Sequence, residues 1–289
     1  MANLRQWIKI QNKFQKILKS KEKELKLNYK KAYKELEEIV KNIYEEFEID
    51  GQIDFDSYLR YRQTRRLDAN TSRLMTNLYT ANEEAIDKLL REILDDTRKS
   101  AIRNISDGKQ VISPINKTFD TEKIINKSVA GKVWKERAKQ ANNNLQYDVI
   151  GTINKGLENG QTYTQTAKEL KTRFGKDVNK SVATARTESH RVVETTKYDT
   201  MEEVSKEVKM TKTWHSVKDE RVRSSHAAMD GVTIPFEDDF TLPSGAACPR
   251  PGETGDRQPE AWHRPRDDAG RYRRDVRRRR RGTGGRQGT

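Results

Sequence analysis

The chain of 289 residues has one cysteine, few aromatic residues (7%) and a small apolar fraction (33%). The lone Cys248 excludes an internal disulfide and a multi-cysteine zinc cluster. No apolar run approaches the about 20 residues that a membrane-spanning helix needs. Near the N-terminus, Lys9, Lys13 and Lys16 leave no room for the apolar core of a secretory signal. We therefore expect a soluble, intracellular protein without a membrane contact.

The deficit of apolar residues also limits the shape. Charged residues make up 35% of the chain, against a usual value of about 25%. Such a chain cannot form one large sphere around a deep core. It suits long helices with one buried stripe each, or a protein that completes its core against a partner.

The net charge of +14 is unevenly distributed, with +11 in residues 1–218, −5 in residues 219–256 and +8 in residues 257–289. A basic excess is compatible with nucleic-acid contact. Over residues 1–218 as a whole, however, the acids are interleaved with the lysines, which favours a solvated helical surface.

The composition changes abruptly near the C-terminus, because no lysine follows Lys218 and the last 33 residues contain 12 arginines. Five of them, Arg277–Arg281, are consecutive. The segment 257–289 is either a nucleic-acid-binding arm or the product of a shifted reading frame, and the abrupt change favours the second. It is expected to be disordered in both cases, because it holds too few apolar residues to offset the entropy of ordering.

Apolar residues at spacings of three and four predict a mainly helical body. The stripe between Trp7 and Phe47 predicts one long helix, which Lys21 could interrupt, and this stripe is expected to dock on other helices or on a partner protein. Further helices are predicted through Tyr58–Leu67, after Asn70 to about Ile93, from Thr121 towards Arg137, through Leu145–Leu157, from Thr162 to Phe174, and over Asn179–Val208.

Turn and cap signals support these boundaries. Asn159-Gly160 and Phe174-Gly175 are typical helix ends, and Thr162 with Gln165 has the spacing of a capping box. After Lys209 the apolar period changes to two, which predicts strands near Thr211–Thr213 and Gly231–Pro235.

The predicted fold is therefore mainly α, with an elongated helical body, a small C-terminal α+β module and a disordered basic tail. We divide the chain into a helical N-terminal region (1–112), a second helical part (113–208), the α+β part (209–256) and the Arg-rich tail (257–289).

The sequence contains no recognisable active site. Its histidines, His190, His215, His226 and His263, show no HExxH spacing. Nucleophile elbows, phosphate-binding glycine loops and dinucleotide fingerprints are also missing. We expect no catalytic residue, no cofactor and no metal site, although His215, His226 and Asp230 could in principle be drawn together.

Two clusters are distinctive. In the first, Arg186 and His190 are at i,i+4 spacing and Glu188 and Arg191 at i,i+3 spacing, at which helical side chains can meet. These residues either form a partly buried connection between elements or lie on a solvated helix face. In the second, residues 214–231, Asp219 is placed to cap a short helix, and Gly231 can adopt a positive φ before the next strand. A structural role is the leading interpretation of this second cluster.

The order of "ARTESHR", "TWHSVKDERVRSSHAAMDG" and "IPFEDDF…LPSG" resembles the phage Mu F-like family of minor capsid and head-morphogenesis proteins. Upstream, "AGKVWKERA" and "INKGLENGQTYTQTAKEL" are similar to the helical portion of the family, so the resemblance covers about residues 120–252. The family's "NCRC" type ending is replaced here, after Gly252, by the Arg-rich tail. The motif residues, expected to serve structure or interaction, are Trp134, Arg137, Gly160, Arg186, Thr187, Glu188, Trp214, Asp219, Arg221, Arg223, His226, Asp230 and Gly231.

The resemblance implies a virion protein without enzymatic activity, present in few copies per phage head at the portal vertex. It implies the portal protein and other head proteins as partners, packaged DNA as a further partner, and roles in procapsid assembly and in DNA packaging or ejection. Its location would be the phage head, after assembly in the host cytoplasm.

Two alternatives remain open. Some modules of this family are joined to C-terminal toxin or transferase domains, but only 37 residues follow Gly252, fewer than the about 50 of a small domain. The other alternative is a nucleic-acid-binding protein driven by the arginine tail, which predicts salt-sensitive DNA binding that disappears with residues 257–289.

Overall fold

The computed structural model describes residues 4–49, 52–63, 66–106, 120–129, 131–206, 209–216, 222, 224–243 and 245. Long helices dominate these residues. The helices are α1 (Leu4–Phe47), α2 (Phe55–Gln63), α3 (Arg66–Ser106), α4 (Thr121–Ile125), α5 (Trp134–Glu158), α6 (Tyr163–Ser205) and α7 (Ser224–Ala227). The strands are β1 (Glu48–Ile49), β2 (Gln52–Ile53), β3 (Thr211–Thr213) and β4 (Thr233–Pro235).

The predicted fold class is confirmed. Helices α1, α3 and α6 have 44, 41 and 43 residues, which at 1.5 Å per residue makes each about 60–65 Å long. The α+β part contains β3 and β4, which pair antiparallel with Thr211 opposite Pro235 and Thr213 opposite Thr233. The predicted tail, residues 257–289, lies outside the described residues.

Helix α1 runs antiparallel to both α3 and α6. Asn28 pairs with Asn82 of α3, and Lys13 with Asp96 further along the same helix. Two core clusters lie along this assembly. One joins the C-terminal half of α1 to α2, α3, α5 and the start of α6. The other joins the N-terminal half of α1 to α3, α4, Trp134 and the later part of α6.

Each cluster contains residues from both sides of position 112, the boundary predicted between the first two parts of the chain. From Ile10 to Phe47 the apolar stripe of α1 is thereby covered by the chain's own helices, and Leu36 and Val40 are fully buried. The expectation that the stripe docks on other helices is confirmed, and this face is not exposed for a partner. The four-part division of the chain stays a prediction.

Several predicted boundaries are wrong. Helix α6 passes through Phe174 and Gly175 without a break, because Phe174 is buried against Tyr29 and Tyr33 of α1. The single helix predicted from Thr121 to Arg137 is two helices, interrupted by a bridge between Val129 and Lys132. Helix α1 continues past Lys21.

Other details agree with the sequence. The Thr162 amide donates to Oε1 of Gln165 at 2.9 Å, and the Gln165 amide donates to Oγ1 of Thr162 at 3.4 Å, so the capping box at the start of α6 is confirmed. Helix α5 ends at Glu158, and Gly160 follows with φ +64°, as the Asn-Gly turn predicts. The turn residues Asp50 and Gly51 lie outside the described residues.

Candidate functional site

The first distinctive cluster forms a buried ionic network at the junction of α4, α5 and α6. Glu188 is 1% exposed and receives hydrogen bonds on both carboxylate oxygens. Arg191 donates from Nε to Oε2 at 2.8 Å, and Arg137 donates to Oε1. The predicted pair of Glu188 and Arg191 is therefore confirmed, and Arg137 completes it from α5.

The two guanidinium groups also hold the backbone between α4 and α5. Arg191 donates to the carbonyl oxygens of Ile124 and Ile125 at 2.7 and 3.0 Å. Arg137 donates to the carbonyl oxygens of Val129 and Lys132 at 2.9 and 3.0 Å. These carbonyl groups lie at the end of a short helix and in the segment that follows it, and each gains a charged donor from a guanidinium group.

A buried carboxylate costs several kcal/mol in desolvation unless it is paired and hydrogen-bonded. Glu188 meets this condition through two guanidinium groups, and Arg191 meets it through one carboxylate and two carbonyls. These contacts join α5 and α6 to the end of α4 and to Val129 and Lys132, so the network holds α4, α5 and α6 together.

Arg186 makes a second tie, to α1. Its Nε and Nη2 atoms donate to the two carboxylate oxygens of Glu22 at 2.5 and 2.8 Å. This bidentate contact raises the pKa of Arg186 above its ordinary value. Arg186 therefore attaches α6 to α1, whereas Glu188 attaches it to α5 and Arg191 attaches it to α4.

The remaining motif residues of the helical part have simpler surroundings. Trp134 is fully buried at the start of α5. His190 packs edge-on against Phe14 of α1, with ring centroids 4.8 Å apart. Thr187 is exposed on α6.

The second cluster organises the α+β part around Trp214, which is 2% exposed. The rings of His226 and Phe240 meet its indole edge-on at 5.6 and 5.3 Å. The Trp214 amide donates to the Val232 carbonyl at 2.9 Å, which extends the pairing of β3 with β4. Trp214 and His226 are thus brought together as core residues.

Asp230 and Gly231 form the turn between α7 and β4. The Oδ1 atom of Asp230 accepts from the Ser216 amide at 2.9 Å, and the Gly231 amide donates to the Trp214 carbonyl at 2.9 Å. Gly231 has φ +84°, as predicted. Asp219, Arg221 and Arg223 lie outside the described residues, so the capping role of Asp219 stays a prediction.

Sequence reasoning missed the partners that come from distant parts of the chain. Glu22 is 164 residues from Arg186, and Tyr58 of α2 donates to Oδ1 of Asn154 at 2.5 Å across 96 residues. The sequence did show that Glu22 occupies a position on the apolar stripe of α1. A carboxylate on a buried face needs a cationic partner, so a partner for Glu22 could have been predicted, although not which one.

Within the described residues, no group of three or more histidine, cysteine or carboxylate side chains could hold a metal ion. None of the helices described there is both long enough and apolar enough to span a bilayer.

Residues 147–253 match the family model described as Phage Mu protein F like protein. The chain carries a Mu F-like region. The resemblance drawn from the sequence motifs is confirmed, and the matched region contains α6 with Arg186, Glu188 and Arg191 together with the α+β part. Because the match begins at residue 147, Trp134 and Arg137 precede it.

Two proteins of known description are similar to the chain. Minor head protein GP7 of Bacillus phage SPP1 is 23% identical over 242 residues, which cover 82% of this chain and 77% of that protein. The NAD(+)–arginine ADP-ribosyltransferase EFV of Enterococcus faecalis is 26% identical over 120 residues, 41% of this chain but only 25% of the transferase. No solved structure matches the chain significantly.

The similarity to Minor head protein GP7 extends over most of both chains. The similarity to the transferase spans a quarter of that enzyme and does not carry its activity to this chain.

Proposed function

We propose that this protein is a minor head protein of a tailed bacteriophage or prophage, bound at the portal vertex, and that it acts in procapsid assembly and in DNA packaging or ejection. The observation that carries the proposal is the similarity to Minor head protein GP7 over 82% of this chain. We propose the portal protein and other head proteins as its partners, and assembly in the host cytoplasm.

The geometry of the Mu F-like region, together with Arg137 of α5, supports a structural role. Catalytic groups direct polar atoms towards a substrate, whereas Glu188, Arg191 and Arg137 direct theirs to one another and to backbone carbonyls. The rings of Trp214 and His226 likewise pack within the α+β part. Because these side chains bond within the chain, they stabilise its fold, and a stable fold suits a structural protein that binds partners.

Recovery with the portal protein tests the proposal. The full chain is co-expressed with the tagged portal protein of the same phage, and we expect it to be retained with the portal and to be found in purified procapsids. An unrelated basic helical protein of similar charge controls for nonspecific retention. Absence from both the portal fraction and purified virions would contradict the proposal.

A surface variant sharpens this test. Tyr147 is 84% exposed on α5 at the start of the Mu F-like region, and exposed aromatic residues are frequent anchors of protein interfaces. We expect Tyr147→Ser to weaken portal recovery. Ile49→Ser, at a side chain 59% exposed outside the matched region, is the matched control. Leu36 and Val40 are unsuitable for this purpose, because changing them would test folding instead.

The proposal includes the absence of enzymatic activity, and the similarity to an ADP-ribosyltransferase gives this point its own test. The purified chain is incubated with labelled NAD+ and arginine-containing acceptor proteins, with an active arginine ADP-ribosyltransferase as the positive control. We expect no transfer of label. Transfer of label that co-purifies with the chain would favour a virion protein with transferase activity.

A further inference from the structure

The outer face of α1 is rich in lysine. Residues 9–34 contain ten lysines and only two acids, Glu22 and Glu24. Six exposed lysines recur at spacings of three, four and seven, and we call them the lysine face: Lys9, Lys16, Lys23, Lys26, Lys30 and Lys34. With 3.6 residues per turn they lie within about 100° of arc and extend over about 37 Å of helix.

This face is opposite the buried stripe of α1. Phe14, Leu18 and Leu25, which are at most 2% exposed, lie on the side that packs against α3 and α6. The lysines therefore face away from the core. The interleaving of acids and lysines that describes residues 1–218 as a whole does not hold on this part of α1.

The two acids of α1 within residues 9–34 are paired with residues outside the lysine face. Within the described part of the chain, no salt bridge involves a lysine of the lysine face. Glu22 is bound by Arg186 of α6, and Glu24 by Lys21.

The neighbouring segment 83–96 of α3 contains six acids, and five of them form salt bridges. These five pairs are Glu83 with Lys135, Glu84 with Lys88, Asp87 with Arg91, Asp95 with Lys99, and Asp96 with Lys13. The acids of α3 are thus largely neutralised, while the lysine face is not.

The chemistry of this face fits a repetitive polyanion better than a protein surface. Lysine is depleted at protein–protein interfaces, which favour aromatic residues and arginine. As a strongly hydrated point charge on a flexible stem, lysine suits phosphate groups that repeat along a backbone. Double-stranded DNA carries one phosphate per about 1.7 Å of axis, so the length of the lysine face matches about one helical turn of DNA.

We propose that the lysine face of α1 binds the phosphate backbone of double-stranded DNA without sequence preference. The proposal rests on the charge distribution of α1 and not on the proposed function, so either can fail while the other stands. If four lysines contact phosphate, the logarithm of the binding constant falls with the logarithm of salt concentration at a slope of about −3.6. This slope corresponds to about a 150-fold loss of affinity between 50 and 200 mM salt.

The test measures binding of the purified full chain to a fluorescent DNA duplex by anisotropy over a series of salt concentrations. The test variant changes Lys9, Lys16, Lys23 and Lys30 to Gln. The matched control changes four exposed lysines of α5 and α6 to Gln, with the same loss of net charge: Lys139, Lys155, Lys168 and Lys171. Glutamine keeps the helix propensity close to that of lysine, and circular dichroism verifies the fold of both variants.

We expect the lysine-face variant to bind about 10- to 100-fold more weakly and to lose about one unit of salt slope per contacting lysine removed. The control variant is expected to bind nearly as the unchanged chain does. Equal losses in the two variants would assign the binding to net charge alone and overturn the proposal.

A third variant separates the lysine face from the C-terminal arginines. In it, Arg277–Arg281 are changed to Gln. If this variant alone loses DNA binding, the tail is the DNA contact and the proposal is wrong. Failure of the unchanged chain to bind duplex DNA at 50 mM salt would also overturn it.

Discussion

Arg191 donates to Glu188 at 2.8 Å one turn away on α6, and the two side chains are only 4% and 1% exposed. A short helical pair of this kind is usually solvated and contributes little. Here it is buried and shared with Arg137 and with the carbonyls of Ile124 and Ile125. The pair therefore links one helix to the backbone of another part of the chain, and its loss removes charged hydrogen bonds from a buried carboxylate and from two carbonyls.

The first prediction concerns this network. Arg191→Met removes one of the two guanidinium groups that pair with the buried Glu188 carboxylate, so the free energy of unfolding should fall by about 3–5 kcal/mol. Urea denaturation followed by circular dichroism measures the change. Arg173→Met is the matched control, because Arg173 and its partner Asp148 are 40% and 55% exposed, and it should cost less than about 1 kcal/mol. Similar losses in both variants would contradict the role assigned to burial.

The second prediction concerns the tie between α1 and α6. A double-mutant cycle with Glu22→Gln and Arg186→Gln isolates the bidentate contact. Because Glu22 is largely buried while the Arg186 side chain is 50% exposed, we expect a coupling free energy of about 1 kcal/mol. Additive effects of the two single changes would mean that the contact contributes no net stability.

The third prediction compares two glycines of α5. An alanine Cβ at Gly156 would overlap Oγ1 of Thr166, which is buried and hydrogen-bonded to the Tyr44 hydroxyl at 2.7 Å. Gly156→Ala should therefore destabilise the protein by about 1–3 kcal/mol. At Gly151 a Cβ meets nothing within 4 Å, so Gly151→Ala should stabilise the helix by about 0.5–1 kcal/mol. Thermal unfolding of the two variants should shift in opposite directions.

The fourth prediction concerns the turn before β4. The space around Gly231 is open, but its φ of +84° is costly for a residue with a Cβ. Gly231→Val should destabilise the α+β part by about 1–2 kcal/mol. Hydrogen exchange should show faster exchange at the amides of Trp214 and Val232, while α1 and α3 keep their protection. Unchanged exchange in β3 and β4 would argue against strain at this position.

The fifth prediction concerns pH. Burial, with a further contribution from Glu202, raises the pKa of Asp199 above its ordinary value of 3.8. Between the ordinary and the raised pKa the folded state holds more protons than the unfolded state, so the free energy of unfolding falls as pH rises through this interval. Asp199→Asn removes the effect and should be more stable than the unchanged chain at pH 7.

The difference for Asp199→Asn should disappear below the ordinary aspartate pKa, where the unchanged chain is protonated in both states. Asp239→Asn removes an exposed carboxylate and controls for the loss of one negative charge. A stability gain at Asp199 that persists unchanged in acid would sink the electrostatic explanation.

A feature could be predicted from the sequence when the residues that determine it are close together along the chain. The Glu188–Arg191 pair follows from helical spacing, and the positive φ of Gly231 follows from its Asp-Gly turn. The Glu22–Arg186 pair could not be found in this way, because it depends on how two distant helices pack. Local patterns identify the residues, and tertiary packing chooses the partners.

The wrong boundaries have the same origin. Gly175 is a poor residue for a helix interior, yet α6 continues through it because the adjacent Phe174 is buried against α1. Between α4 and α5 the apolar spacing of Ile125, Val129 and Trp134 suggested one helix. The bridge of Val129 with Lys132, closed around Gly131 at φ +76°, interrupts it instead.

The contact of Glu22 with Arg186 also has a consequence for synthesis on the ribosome. At about 5–20 residues per second, α1 emerges roughly 10–30 seconds before the part of α6 that binds it. During this interval α3, which follows α1 closely and runs antiparallel to it, can already cover part of the apolar stripe. The nascent chain would therefore form an α1–α3 hairpin first, and α6 would close the core only after most of the protein has left the ribosome.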